Sequence, residues 1–358
     1  MSNSSIKSQF GGALQVALDA VVEGGASSIS VDYAGTKVEF LDSWTRTLTA
    51  HARQLRLKNQ TLAAPVVLVY VDDSSEFASG KGWKRQPMLG IASTDNFAGI
   101  LAVGTAGFGG CIHPQHLKDT AEFTAEIERA GLAEFLTISL VSTDKLIIWP
   151  EGILGGVRPN VRELDDAPFV LDLKKIERDL EIFYEEEARQ TSKWWKDADS
   201  RITVETPEKV VQEALRVFLV GRYAEVAKVR EEVVSGNGRT DITVRPSPAG
   251  GSHQSAVLEL KTTRDVRTPK RTGKKPIKMP LATNIRWAKS GVQQVAAYRD
   301  HESFAGAFLC VYDFCASHGK EIDSAIQTAA NLYQVIAKRY WITASHQEHR
   351  DERYPLGD

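Results

Sequence analysis

Two acidic residues and a lysine stand close together in the C-terminal half of the sequence, in a pattern suited to phosphate chemistry. Asp241 follows a hairpin-type turn at 235–238, and Glu259 and Lys261 flank Leu260 in the next apolar segment. Residues two apart on a strand point to the same face, roughly 6–7 Å apart, so Glu259 and Lys261 project together. Asp241 on a neighbouring strand would complete a pair of carboxylates, the ligands that Mg²⁺ or Mn²⁺ prefers. These residues therefore predict a metal-assisted hydrolytic site.

Three more polar residues accompany this set. Gln294 and Tyr298 lie one helical turn apart, on a face that could lean over the site. Upstream, Glu213 lies in the middle of a predicted helix with apolar neighbours, so it could sit near the same metal. A lone Glu-x-Lys has little specificity, whereas the ordered set on suitable elements has much more. The alternative is a surface ion pair between Glu259 and Lys261 on an ordinary β-sheet domain.

The elements that would position these residues follow one another in a clear order. A helix is predicted from Pro207 through Tyr223, where Thr206 and Pro207 are typical of a helix start. Strands are predicted at 225–234, 240–244 and 256–262, then a helix at 285–298, a strand at 304–314 and a long amphipathic helix at 322–340. The order is α-β-β-β-α-β-α.

The whole ordered set, Glu213, Asp241, Glu259-Leu260-Lys261 and Gln294-x-x-x-Tyr298, resembles the PD-(D/E)XK nuclease superfamily. The Gln-x-x-x-Tyr element is similar to that of its RecB-like branch. The resemblance covers about residues 205–340 and does not reach residues 1–190. For that part of the chain it implies an α/β fold with a restriction-endonuclease-like mixed sheet flanked by helices. The apolar runs and helical patterns of the first half of the chain predict a separate α/β N-terminal domain before it.

The resemblance also implies roles for the site residues. Asp241 and Glu259 would hold Mg²⁺ or Mn²⁺ with help from the Leu260 carbonyl, and Lys261 would assist catalysis. Glu213 would be an auxiliary ligand or lie just behind the ligands, and Gln294 and Tyr298 would organise the site or touch DNA. Some RecB-like nucleases carry an iron–sulfur cluster on four cysteines; this chain has three cysteines, so no cluster is expected.

A basic segment follows directly on the Glu-x-Lys strand. Its only acid between residues 264 and 289 is Asp265. Cationic side chains beside a metal site could contact the phosphate backbone of a nucleic acid. The alternative is a solvated charged loop without a partner. The candidates for phosphate contact are Arg264, Arg267, Lys270, Arg271, Lys274, Lys275 and Lys278.

The length of 358 residues suits two domains. We expect an N-terminal α/β regulatory, sensing or assembly domain at 1–160 and an acidic helical linker at 161–205. The nuclease domain is expected at 206–345, followed by a polar tail at 346–358. In the N-terminal part, apolar runs predict a strand at 63–71 and two strands within 136–149, and helical spacing predicts a helix at 120–132.

Composition and charge bear on the partners and the cellular location that can be expected. The net charge of -2 gives no general support for nucleic-acid binding, so any basic surface must be local. No apolar run reaches the ~18–20 residues of a membrane span, and no leader sequence is evident. Sparse cysteines are typical of reduced thiols. A cytoplasmic location without a membrane role is therefore expected. Glycine-rich stretches lack the Lys-Ser/Thr ending of a P-loop, so any ATP-driven motor would be another chain.

Together these features predict a two-domain prokaryotic, metal-dependent hydrolase that cuts DNA phosphodiester bonds, as an anti-phage defence or restriction effector. Three alternatives stay open: a DNA repair or recombination nuclease, a ribonuclease, and a catalytically silent nucleic-acid-binding or assembly module. DNA is favoured over RNA because the motifs resemble those of DNA-acting enzymes. Further partners could be a second copy of the chain and a separate ATPase, helicase or other defence-system subunit.

Overall fold

The chain divides into two units that each combine helices with a β-sheet. A computed structural model describes residues 36–85, 98–105, 110–164, 170–189, 191–224, 226–235, 238–247, 253–267, 276–317 and 319–353. The two compact units are residues 1–167 and 168–358. In the parts of the chain so described, no helix is long and apolar enough to cross a membrane.

The first unit is built on a seven-stranded sheet. Its strands are β1 (Val66–Tyr70), β2 (Lys84–Arg85), β3 (Leu101–Gly104), β4 (Gly110–Ile112), β5 (Thr137–Ser142), β6 (Lys145–Trp149) and β7 (Asn160–Glu163). They lie in the order β2-β4-β3-β1-β5-β6-β7. β1 and β3 are parallel and the remaining neighbours are antiparallel. The helices are α1 (Lys37–Leu57), α2 (Ser75–Ser79) and α3 (Thr120–Arg129), so the predicted strands at 63–71 and 136–149 and the helix at 120–132 are confirmed.

The second unit contains the elements predicted around the candidate site. Its helices are α4 (Leu173–Phe183), α5 (Pro207–Tyr223), α6 (Leu281–Glu302), α7 (Lys320–Tyr333) and α8 (His346–Arg353). Two short ribbons pair β8 (Trp195–Asp197) with β9 (Ile202–Thr203) and β13 (Val266–Arg267) with β14 (Ile277–Lys278). The main strands are β10 (Ala227–Ser235), β11 (Gly238–Pro246), β12 (Ala256–Thr263), β15 (Gly306–Asp313) and β16 (Ile336–Trp341).

These main strands form a five-stranded mixed sheet in the order β10-β11-β12-β15-β16. β10, β11 and β12 are antiparallel, whereas β12, β15 and β16 are parallel. The sheet is flanked by helices, as the sequence predicted. β12 lies at its centre, and every residue of β12 is buried.

Helix α6 covers one face of β12. Val257 of that face joins a core with Val292 and Val295 of α6 and Leu309 of β15. Alternate residues of a strand share a face, so Glu259 and Lys261 lie on the same face as Val257, further along the strand. The burial of this apolar core therefore fixes α6 above the two charged residues.

The predicted long helix at 322–340 is wrong in its second half. Helix α7 ends at Tyr333, and Gln334 takes a left-handed conformation with φ of 53°. β-Branched Val335 and Ile336 follow, and β16 then pairs in parallel with β15. Apolar residues continue with a spacing that suits either a helix or a strand, so periodicity alone could not separate the two.

The segment expected as a linker at 161–205 is placed differently. Residues 161–163 complete β7 of the first unit, whereas α4 belongs to the second unit. The apolar stripe of α4, formed by Ile176, Leu180 and Phe183, is buried, and its acidic side includes Glu181, which pairs with Lys338. An amphipathic helix that buries its apolar face becomes part of a core instead of a bridge.

The predicted polar tail begins with α8. Glu348 of this helix forms an ion pair with Arg201 at 2.6 Å. Residues 354–358 lie outside the described part of the chain.

Candidate active site

Asp241 lies where the pairing of β11 and β12 ends. The register places Ile242 opposite Leu258, and beyond this last pair the Oδ2 atom of Asp241 accepts a hydrogen bond from the Leu260 amide at 2.7 Å. The carboxylate is therefore fixed against the backbone of the strand that carries Glu259. The three consecutive residues of the Glu-x-Lys element and Asp241 are brought together, as the sequence predicted.

Glu259 and Lys261 form an ion pair inside the protein. The Lys261 ammonium donates to Oε1 of Glu259, and the side chains are 5% and 1% exposed for Lys261 and Glu259 respectively. The other oxygen, Oε2 of Glu259, is buried and has no hydrogen-bond partner among the described residues. A buried carboxylate oxygen without a partner is costly, so this position favours a bound donor or cation.

Negative charge is in excess around this pair. Burial, and next the charge of Asp241, raise the pKa of Glu259 to about 8. Burial alone would lower the pKa of Lys261, but the carboxylates of Glu259, Glu208 and Asp241 more than offset it, so the pKa of Lys261 is raised. Three carboxylates thus surround one ammonium, and added positive charge would stabilise their ionised forms.

Glu208, which the sequence pattern did not single out, is the third of these carboxylates. It lies in the first turn of α5, and its Oε2 accepts a hydrogen bond from the Thr262 amide at 3.3 Å. Burial, followed by the charge of Asp241, raises the pKa of Glu208, although Lys261 opposes the shift. One turn further along α5, Gln212 Nε2 donates to the Asp241 carbonyl at 2.9 Å. This face of α5 therefore braces both strands of the site.

Glu213, the residue predicted to lie near the metal, is exposed. Successive residues of an α-helix are about 100° apart, so Glu213 points about 140° away from Glu208. The structure therefore does not bring Glu213 to Asp241 and Glu259. The available signal was the spacing of Glu208 with Val211, Leu215 and Phe218, which follows the buried side of α5.

Two residues of α6 enclose the side chain of Lys261. The Lys261 Nζ atom lies 4.7 Å from the centroid of the Trp287 ring, a cation–π contact. One turn along the helix, a Cβ atom at Gly291 would come within 3.0 Å of Lys261 Cγ and 2.6 Å of Leu309 Cδ1. The lysine stem therefore passes through space that only glycine leaves open at this position.

Gln294 and Tyr298 act on each other and on β11. Gln294 Nε2 donates to the Tyr298 hydroxyl at 3.1 Å, and that hydroxyl donates to the Arg239 carbonyl at 2.9 Å. Tyr298 is buried. The pair therefore joins α6 to β11, the strand that carries Asp241. Of the two predicted roles, this position favours organising the site over touching DNA.

The described part of the basic segment forms a small ribbon. Arg267 is opposite Ile277, and Lys278 is opposite Val266; both cationic residues are exposed. Arg264 is half-buried and its guanidinium donates to Thr203 Oγ1 at 3.0 Å, so it is partly engaged within the protein. The other candidates, Lys270, Arg271, Lys274 and Lys275, lie outside the described residues.

The oxygen atoms of the site suit a hard cation that needs only one or two ligands from the protein. Within the described ranges, no three His, Cys, Asp or Glu side chains are grouped so that they could hold a metal ion on their own. Mg²⁺ commonly keeps several waters and takes only one or two protein carboxylates. Asp241 and the unpartnered oxygen of Glu259 could provide these one or two carboxylate ligands. The residues therefore fit Mg²⁺ or Mn²⁺ better than a metal that requires a complete protein cage.

Comparisons with family models, curated proteins and solved structures gave no match for this chain. A function therefore has to follow from its own residues and their geometry.

Proposed function

We propose that the second unit is a metal-dependent nuclease with a restriction-endonuclease-like core. The observation that carries the proposal is the unpartnered Oε2 of buried Glu259. The other oxygen of this carboxylate accepts from Lys261, and the next residue, Leu260, donates its amide to Asp241. A folded protein gains little from burying a carboxylate oxygen that nothing satisfies. A binding role for this oxygen accounts for the cost.

Asp241 and Glu259, together with the Leu260 carbonyl, would hold the ion. Within a strand, the amide and carbonyl of one residue point to the same side, so the Leu260 carbonyl points toward β11, as its amide does. A bound Mg²⁺ or Mn²⁺ would supply Lewis-acid activation of a phosphoryl oxygen and of water. Glu208 would balance the charge of Lys261 and fix the Thr262 amide.

Lys261 would face the phosphate. Its ammonium contacts Glu259 and the Trp287 ring, and its aliphatic stem passes through the space at Gly291. A fixed cation at this place can orient the attacking water and offset the negative charge that develops on the phosphate oxygens. Because the group is already positioned and shielded from water, it would not need to reorganise during the reaction.

We extend the proposal to DNA as the substrate and to a cytoplasmic defence or restriction effector. The order of the site residues along the chain supports this, because it resembles that of DNA-acting nucleases. Exposed Arg267 and Lys278, near the end of β12, support phosphate contact. A ribonuclease and a silent binding module are outcomes that the experiment separates; a DNA repair or recombination nuclease is the alternative role for an enzyme that cuts DNA.

The test is a cleavage assay with the full chain on linear, circular, single-stranded and duplex DNA and on RNA. Each substrate is incubated with Mg²⁺, Mn²⁺ or EDTA. Lys261→Ala is compared with Lys320→Ala, an exposed lysine of α7. We expect metal-dependent cutting by wild type and by Lys320→Ala, and loss of cutting by Lys261→Ala. Equal cutting by all three proteins, or none by wild type on any substrate, would contradict the proposal.

A further inference from the structure

Trp287 is an exposed aromatic residue beside the candidate catalytic lysine. Its side chain is 47% exposed, although Lys261 lies over its ring at 4.7 Å. Large aromatic side chains normally bury most of their surface. A ring that remains half exposed after contacting Lys261 has surface left for another molecule.

Trp287 lies in the part of α6 that follows the basic ribbon. Trp287, Gly291, Gln294 and Tyr298 follow each other at spacings of four, three and four residues, so they share one face of α6. One turn before Trp287, Asn284 Nδ2 donates to the Arg264 carbonyl at 3.0 Å, and Met279 N donates to the Asp265 carbonyl at 2.7 Å. These bonds tie the ribbon to the start of the helix.

Exposed cationic side chains lie on the segments next to Trp287. Arg286 precedes it on α6, and Arg267 and Lys278 belong to the ribbon. Cationic side chains around an exposed aromatic ring are the combination by which proteins bind single-stranded nucleic acid: the charges follow the phosphates and the ring takes a base. In a duplex, each base is already stacked and paired, so its face is not available.

We propose that Trp287 stacks on an unpaired base next to the phosphate that Lys261 faces, so that the preferred substrate is single-stranded at the point of cleavage. This inference rests on the proposed nuclease function. The Trp287 ring would then have two neighbours, the lysine ammonium and the nucleobase. A base held there would fix the adjoining phosphate relative to Lys261.

The test measures binding without chemistry. Fluorescently labelled single strands and duplexes of one length are titrated with the full chain in EDTA, and affinity is read from anisotropy. Trp287→Leu removes the aromatic ring, Trp287→Phe keeps one, and Leu281→Ala removes another exposed apolar side chain of α6 as the matched control. Each Trp287 variant is also made with Lys261→Ala, in which the ring has no lysine to hold.

We expect Trp287→Leu to weaken single-strand binding by about 10-fold or more, as loss of one stacked base does, and Trp287→Phe to weaken it much less. The same loss should recur with Lys261→Ala, and duplex binding should change little. In a second series, one abasic position is moved along the strand. At one of these positions, wild type should bind the abasic strand as weakly as Trp287→Leu binds the intact strand. Leu281→Ala should bind as wild type does.

Equal weakening for single strand and duplex, or no effect of Trp287→Leu once Lys261 is replaced, would overturn the inference and leave Trp287 as a support for the lysine. Wild type that binds no single strand would overturn it as well. The nuclease proposal is judged separately, by metal-dependent cutting. If the protein cuts only duplex and the Trp287 variants bind as wild type does, the nuclease proposal stands and the stacking proposal is rejected.

Discussion

The Oδ2 atom of Asp241 accepts a hydrogen bond from the Leu260 amide at 2.7 Å, just beyond the last paired residues of β11 and β12. This contact links the carboxylate of one strand to the backbone between Glu259 and Lys261 of the next. The spacing of the Glu-x-Lys element therefore does more than place two charges on one face. It also presents the backbone amide of the intervening residue to the carboxylate of Asp241.

Glu208 and Glu213 provide a matched pair on one helix. Glu208→Gln should lower the cleavage rate, because the carboxylate that balances Lys261 and fixes the Thr262 amide loses its charge. Glu213→Gln should leave the rate unchanged, because Glu213 is exposed and points away from the site. Initial cleavage rates at saturating Mg²⁺ measure both effects. A larger loss for Glu213→Gln would restore the sequence-based prediction and reject the role given to Glu208.

The metal-free protein should lose stability as the pH rises through the range in which Glu259 titrates. The pKa of Glu259 is about 8 in the folded chain against an ordinary value of 4.5. The folded state therefore binds more protons in between, and this contribution is complete below 4.5 and lost as the pH rises through about 8. Urea unfolding in EDTA across this range would show the decline, which should be smaller in Glu259→Gln. Parallel curves for the two proteins would contradict it.

Gly291→Ala should impair activity more than stability. The added Cβ would press on Lys261 Cγ at 3.0 Å and on Leu309 Cδ1 at 2.6 Å. Alanine favours the helix by about 1 kcal/mol over glycine, which offsets part of the crowding cost of about 1–3 kcal/mol. A displaced Lys261 should reduce the cleavage rate by up to about 100-fold. Gln293→Ala, on the exposed side of α6, is the control. Full activity in Gly291→Ala would show that Lys261 does not need the space beside Gly291.

Tyr298→Phe should weaken the fold without altering nucleic-acid affinity. The change removes the hydroxyl that donates to the Arg239 carbonyl and accepts from Gln294. One such hydrogen bond contributes about 0.5–1.5 kcal/mol to the free energy of unfolding. Chemical denaturation measures the loss, and anisotropy titration checks the affinity. An affinity that falls while stability is kept would place Tyr298 in direct contact with the substrate.

Much of the second unit could be predicted because its signals are local. Pro207 at a helix start, the pairing of Ser235 with Gly238 and the apolar runs of β12 and β15 are set by backbone preferences and burial within short segments. β16 could not be separated from α7, because its strand form depends on pairing with β15, which is distant in sequence. Similarly, α4 has the pattern of any amphipathic helix, and only the core it meets decides which unit it joins.

The site was predictable where spacing fixes direction. Glu259 and Lys261 share a face because a strand has a period of two, and Gln294 and Tyr298 share one because a helix has a period near four. Glu213 was chosen for its apolar neighbours, although the buried spacing of α5 runs through Glu208. Trp287 gave no signal of its own, since its contact with Lys261 depends on how α6 lies over β12.

The most direct test of the central claim is metal-dependent cleavage by Asp241→Asn. Asparagine keeps an oxygen that can accept from the Leu260 amide, so folding is preserved while the charge is removed. Asp199→Asn, an exposed aspartate, is the control. We predict that wild type and Asp199→Asn cut nucleic acid with Mg²⁺ or Mn²⁺, and that Asp241→Asn remains folded but does not cut. Cleavage by Asp241→Asn at the wild-type rate would contradict the assignment of this site.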